Sequence, residues 1–251
     1  MSSPPPAVLA FAASDPTGGA GVQADLLTIA ALGAHPLSVI TALTVQDTHG
    51  VHSMRAVEAE LVEAQGRRLL EELPVAAFKL GVLGSADNAR AVARLLAGRA
   101  APVVVDPVLA SGRGDALADE AGLVALIDAV LPLATVATPN ALEAERLGGI
   151  RGLLDRGCRY VLLTGTHVDT PEVVNTLHDR NGVVREDRWP RLPGSYHGSG
   201  CTLASALAAL LARGLDVPRA AREAQEFTWK SLAAAFRPAS GQFIPQRFFS
   251  R

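Results

Sequence analysis

His197-Gly198-Ser199-Gly200-Cys201-Thr202 runs straight into Leu203-Ala204-Ser205-Ala206-Leu207-Ala208-Ala209-Leu210-Leu211, an apolar stretch with helical character. The glycines let backbone amides approach a ligand, and a helix beginning there aims its unsatisfied N–H groups and partial positive charge at the same point. This is a receptor for an anion. Cys201 falls in the first helical turn, where the dipole favours thiolate, so a proton acceptor stands beside a phosphate cradle. Together these features point to phosphoryl transfer to a hydroxyl. The same letters also suit a capped loop followed by a buried cysteine, so the remainder of the chain has to decide.

Working outward, short apolar runs bounded by turn residues alternate with longer segments of helical period, the pattern of βαβ units and a mostly parallel sheet. Strands are expected over Ala7–Ala13, Leu37–Val45, Ala76–Gly81, Val103–Val108, Thr135–Thr138 and Tyr160–Thr164, with helices near 19–32, 56–72, 86–98, 119–131 and 140–148. Val173–His178 and Val183–Arg188 flank Asp179-Arg180-Asn181-Gly182, where Asn-Gly signals a hairpin, so an antiparallel edge is expected there. Helices near 200–213 and 217–235 follow, the first stopped by Gly214 and the second opened by Asp216-Val217-Pro218. Residues 7–251 read as one α/β domain behind a flexible, proline-rich lead, Met1-Ser2-Ser3-Pro4-Pro5-Pro6.

Composition narrows the classes. The 251 residues are 49% hydrophobic, 19% charged and 4% aromatic, as in a soluble enzyme rather than a disordered chain. A net charge of −2 with no long basic run argues against nucleic acid or a membrane surface as partner, so an anionic ligand must be held by local geometry. Two cysteines, Cys158 and Cys201, make neither a disulfide framework nor a C-x-x-C pair, which suits a reducing cytoplasm. No apolar run approaches the ~20 residues of a membrane span.

Three further stretches carry chemistry. The first strand empties into Ser14-Asp15-Pro16-Thr17-Gly18-Gly19-Ala20-Gly21, a glycine-rich strand-to-helix turn of the kind that binds ligands in open α/β sheets. Gly19-Ala20-Gly21-Val22-Gln23-Ala24 matches a dinucleotide fingerprint, with Asp47 as a ribose partner, but the intervening residues from Asp15 to Gly18 make the loop too wide and suit a small polar substrate better. Asp106-Pro107 ends the apolar run Val103-Val104-Val105 and places a carboxylate at a strand end. Asn140 and Glu143, after Thr138-Pro139, share a helical face: their spacing suits oxygen ligands to Mg²⁺ and, equally, a helix capping box.

In this order the segments closely resemble the hydroxymethylpyrimidine and phosphomethylpyrimidine kinases of thiamine biosynthesis, a branch of the ribokinase superfamily. The resemblance runs from Val8 onward and is carried by Ala13-Ser14-Asp15-Pro16-Thr17-Gly18-Gly19-Ala20-Gly21-Val22-Gln23-Ala24-Asp25-Leu26, Thr41–Thr48, Lys79–Ser85, Val105-Asp106-Pro107-Val108, Thr138-Pro139-Asn140 with Glu143, and His197–Leu203. It implies a three-layer α/β/α fold with a mostly parallel sheet and an edge hairpin, and a cytoplasmic homodimer acting on a small molecule with ATP and Mg²⁺. Ala13, Asp25, Val45, Gln46 and Val82 would surround the pyrimidine. Asp106, Asn140, Glu143, Thr164 and Gly165 would serve the nucleotide, with Asp106 and Glu143 on the metal. Gly198, Ser199 and Gly200 would form the anion hole and Cys201 the base, where most of the superfamily resembles itself in having Asp. Some pyridoxal kinases resemble this branch too, and a non-catalytic vitamin-binding regulator is a third reading. Ala13 replaces the family's usual Gly, and Thr164-Gly165-Thr166-His167 lacks its usual Lys.

Overall fold

The computed structural model describes residues 3–109, 117, 119–166 and 170–249. Its described residues form one nine-stranded sheet, in the order β3-β2-β1-β4-β5-β6-β7-β8-β9. The strands are β1 Ala7–Ser14, β2 His35–Gln46, β3 Val51–Ala56, β4 Val75–Leu80, β5 Val103–Val105, β6 Val136–Ala137, β7 Tyr160–Leu163, β8 Glu172–Asp179 and β9 Gly182–Pro190. Strands β2, β1, β4, β5, β6 and β7 are parallel, and the β8–β9 hairpin adds the antiparallel edge expected from Asn181-Gly182.

Alternating strand residues supply the two faces. Leu9, Phe11, Val103 and Val105 pack with Val62 of α2 (Ala59–Glu72) and with Val92 and Leu96 of α3 (Ala86–Leu96). Val8 and Val104, one residue out of phase, pack on the other face with Ile29 of α1 (Gly21–Ala31), Leu207 of α7 (Ser199–Ala212) and Phe227 of α8 (Val217–Ala233). A strand buried on both faces must be apolar at consecutive positions, which explains the unbroken apolar runs. Helices α4 (Glu120–Ala125), α5 (Ala141–Arg146) and α6 (Gly149–Asp155) complete the set, α4 continuing through a π turn and a 3-10 turn to Leu133.

Three boundaries differ from expectation. The other sheet edge carries an antiparallel strand, β3, paired to β2, because Asp47 closes a tight turn by accepting from the N–H groups of His49 (2.7 Å) and Gly50 (3.1 Å). The same exposed carboxylate faces His52, so Asp47 organises a turn. Strand β5 stops at Val105 instead of Val108: Pro107 has no N–H for a ladder, and the Val108 N–H donates to the Asp106 carbonyl at 2.8 Å. Helix α1 begins at Gly21 rather than 19, leaving a longer loop ahead of it. Met1 and Ser2 of the expected lead, and His167, lie outside the described residues.

Candidate active site

The parallel strands end along one edge, and the chemistry collects there. After β1, the Asp15 carboxylate is almost fully buried and accepts from Thr17 N (2.8 Å), Thr17 Oγ1 (2.9 Å) and Ala20 N (2.7 Å). His197 Nε2 lies 2.9 Å from it, and the Gln46 side chain also interacts with it. Burial alone would raise this carboxyl; the bonds from His197, Gln46, Ala20 and Thr17 win and hold it well below the usual carboxylate range. Gln23 closes the loop from the other side, accepting from Asp15 N at 2.9 Å and donating to Ser14 Oγ at 2.8 Å.

The glycine-rich turn ahead of α7 leans on this loop. Gly198 has φ +78 and caps the helix, and a Cβ there would strike the Gly19 carbonyl. Only glycine permits both the left-handed backbone and the approach. A Cβ on Gly200 would stand 3.6 Å from Asp106 Oδ2, which puts this first helical turn directly over the carboxylate.

Behind the turn lies a buried charged cluster. Lys79 of β4 and Asp25 of α1 are both 0% exposed, and Lys79 Nζ donates to the Asp25 carboxylate at 2.9 Å. Ser205 Oγ of α7 donates to the other oxygen at 2.7 Å. Burial opposes the Lys79 charge, but Asp25, Cys201 and Asp106 outweigh it and hold the ammonium well above its ordinary range. Burial pushes Asp106 up to about 6 despite Lys79, and its Oδ2 has no hydrogen-bond partner among the described residues. Cys201 is pushed up to about 12 by burial, against the pull of Lys79 and with Asp106 and Asp25 adding to the rise. Burial thus opposes the thiolate that a first-turn position and Lys79 favour.

Asn140 and Glu143 form a complete capping box: Asn140 N donates to Glu143 Oε2 and Glu143 N to Asn140 Oδ1, each at 2.9 Å. Burial and then the charge of Asp106 raise Glu143 to about 7. The cap is thus present, and it places Glu143 where it feels Asp106. Thr164 bridges to Asn140, and the adjacent Gly165 N donates to Asn175 Oδ1 at 2.9 Å. Two carboxylates with an unpartnered buried oxygen suit a hard divalent cation that also binds phosphate. Among the described residues, no three His, Cys, Asp or Glu converge as a self-sufficient metal site.

The residues expected around a ring divide. Val82 is partly exposed on a loop fixed by Thr41 Oγ1 (2.6 Å to the Val82 carbonyl) and by the Asn88 amide, which donates to the Thr41, Val57 and Leu83 carbonyls. Val45 is exposed, Gln46 partly so, and Ala13 is almost buried at a register shift between β1 and β2. Asp25 departs from expectation. With no exposed surface and both oxygens engaged, it presents nothing to a ring and instead holds Lys79. Sequence reasoning gave no role to Lys79, Asp15 or Arg247; a lysine inside the apolar strand Val75–Leu80 is the one local sign it offered.

This sheet-edge arrangement of anion cradle, carboxylates and polar loop on a three-layer α/β/α frame defines a ribokinase-like small-molecule kinase. The phosphomethylpyrimidine kinase family model matches residues 15–245, and the chain belongs to that family. A hydroxymethylpyrimidine/phosphomethylpyrimidine kinase of Streptomyces coelicolor is 43% identical over 96% of this chain and 93% of its own length. A phosphomethylpyrimidine kinase from Clostridium difficile 630 superposes with a TM-score of 0.78 at 32% identity, over 90% of this chain and 99% of that one. The pyridoxal kinase from Staphylococcus aureus, in complex with AMP-PCP and pyridoxal, superposes with a TM-score of 0.87 at 26% identity, over 97% and 94%. Among the described residues no helix is long and apolar enough to cross a membrane.

Proposed function

We propose that the protein transfers the γ-phosphoryl group of ATP to 4-amino-5-hydroxymethyl-2-methylpyrimidine, and then phosphorylates the monophosphate to the diphosphate, in thiamine biosynthesis. The observation that carries this reading is the juxtaposition of Gly198–Cys201 with Asp106, Lys79 and the Asp15–Gly21 loop at one sheet edge. The first loop, Gln46, Val45 and Val82 receive the ring; Ala13 lies behind it. Asn140, Thr164 and Gly165 border the nucleotide, and Gly198, Ser199 and Gly200 direct N–H groups at the transferred group.

Asp106 and Glu143 would hold Mg²⁺, whose charge would offset that of the phosphates. The residues of the chain do the rest. The acceptor oxygen forms a bond to the γ-phosphorus as the bond to the ADP oxygen breaks. The hydroxyl proton leaves late, to the sulfur of Cys201 in its minor thiolate form, which the charge of Lys79 favours, so that the transfer ends with a neutral thiol. A loose transition state demands little early proton removal, so aligned N–H groups contribute more than basicity.

A product assay with ATP and the hydroxymethylpyrimidine, resolving monophosphate from diphosphate, tests the reading. Formation of both in sequence supports it; ATP consumption with pyridoxal alone would transfer the site to the second reading, which the likeness to the Staphylococcus aureus enzyme favours. Loss of turnover on chelation, restored by Mg²⁺, tests the metal. We take the chain to act as a cytoplasmic homodimer with residues 7–251 as one unit, supported by the resemblance and, for the dimer, by exposed Leu43; sedimentation and limited proteolysis check this.

A further inference from the structure

After α8 the chain turns back and is stitched across the front of the site. Phe243 N donates to the Ser195 carbonyl (2.9 Å), the Phe243 carbonyl accepts from His197 N (2.8 Å), and Gln242 N donates to the Thr48 carbonyl (2.9 Å). This strap delivers Arg247, just beyond the 15–245 span of the family match, into the interior with 3% exposure. Its Nη2 donates to the Gly19 carbonyl at 2.6 Å and to Thr202 Oγ1 at 3.1 Å, and Nε reaches the same hydroxyl at 3.2 Å. Thr202 Oγ1 in turn donates to the Gly198 carbonyl at 2.8 Å.

Gly19 and Gly198 are the residues whose backbones touch where substrate loop meets anion cradle. One guanidinium therefore holds both sides of that contact. Asp15 gathers the loop's N–H groups from within, while Arg247 gathers carbonyls from without, so the loop is polarised between a fixed anion and a fixed cation. No carboxylate among the described residues comes within ion-pair distance of Arg247; burial lowers its pKa from the ordinary arginine value, and more distant Cys201, Asp25 and Asp15 favour its charge. A buried cation is costly unless its hydrogen bonds are made, and the planar fork makes them here in a way an ammonium could not.

We propose that Arg247 is a positioning residue for phosphoryl transfer, clamping Gly19 to Gly198 and so setting the separation of acceptor and phosphate. This rests on the kinase reading above. A cavity of about 570 Å³, bordered by Thr17, Gly18, Phe236, Gln246 and Phe248, lies beside Arg247 and gives a small cation a way in when the side chain is truncated.

The test is steady-state kinetics of the parent, Arg247→Ala and Arg247→Lys on the acceptor the parent phosphorylates, with and without millimolar guanidinium, alongside melting curves. Arg247→Ala should lower kcat by about 10²-fold, the effect of a ~1 Å misplacement, with KM for ATP changed less than about threefold. Guanidinium should restore at least about tenfold of that kcat, and Arg247→Lys should fall between, since it keeps the charge without the fork. A kcat for Arg247→Ala within about threefold of the parent overturns the proposal, as does guanidinium that raises the melting temperature without raising kcat. If Arg247→Ala does not fold, Arg247→Lys decides: reduced kcat at unchanged melting temperature supports the clamp, and unchanged kcat removes it. A parent that phosphorylates no acceptor sinks both readings; an active parent with indifferent variants sinks only this one.

Discussion

Replacing Lys79 by Met tests the buried cluster most directly. In the parent the ammonium donates to Asp25 at 2.9 Å with both side chains 0% exposed, and among the described residues Ser205 Oγ supplies the other side-chain hydrogen bond to that carboxylate, at 2.7 Å. Lys79→Met keeps the length of the stem but leaves a buried carboxylate with a single neutral donor. Removing one partner of a buried pair costs about 3–5 kcal/mol, because the remaining charge is desolvated without compensation. For a chain of this size each kcal/mol moves the melting temperature by roughly 2–4 °C, so a fall of about 6–20 °C is expected. Adding Asp25→Asn should return most of the loss: an amide oxygen still accepts from Ser205 and needs no counter-charge. The assay is urea unfolding of the parent, both single variants and the double variant, closed as a cycle. A coupling energy below about 0.5 kcal/mol, or a Lys79→Met cost below about 1 kcal/mol, would refute the pairing as a source of stability.

Other outcomes follow from the same geometry. Gly198→Ala must place a side chain at φ +78 against the Gly19 carbonyl; beyond a backbone cost of ~1–2 kcal/mol, it should separate cradle from loop and lower kcat by about 10²-fold, read by steady-state kinetics. Asn140→Ser keeps a capping oxygen for Glu143 N, so its melting temperature should stay near the parent's, while Asn140→Ala should cost about 1 kcal/mol; lowered turnover in both would assign the amide to the nucleotide. Cys201→Ala should lower kcat far more than ATP affinity, and near-normal turnover would remove the thiol from the proton path. The metal-free, ligand-free protein should lose stability as pH rises from about 5 to about 7.5. Glu143 (about 7) and Asp106 (about 6) bind protons more tightly folded than unfolded, so the folded state forfeits that advantage as they ionise. Asp15, held below its usual range, contributes stability that is lost only at lower pH, outside this window. Thermal melts of parent and Glu143→Gln across the range check the sign: the slope should flatten in the variant.

Much of the frame was legible because its causes are local. Consecutive apolar residues in β1 and β5 announce strands covered on both faces, and Asn181-Gly182 announces the hairpin through the backbone conformations it admits. The Asn140–Glu143 box is likewise written in a three-residue spacing. Strand β3 was hidden because Val51–Ala56 is half exposed and pairs only on one side, so its letters are not forced to be apolar. The short β5 was misjudged for a local reason that Pro107 already contained.

By itself, then, the sequence determined the alternation of strands and helices, the strand ends that bear Asp15, Asp106 and Asn140, and the glycine turn before Cys201, all of which depend on neighbours a few residues apart. Only the tertiary structure decided which charges meet. Asp25 finds Lys79 across 54 positions and Ser205 across 180, and Arg247 finds Gly19 across 228. Cys201 makes the physical reason plain: its place at a helix terminus is local and favours thiolate, yet burial beside Asp106 and Asp25 raises it to about 12. Desolvation and long-range pairing are properties of a folded interior, and no spacing along the chain encodes them.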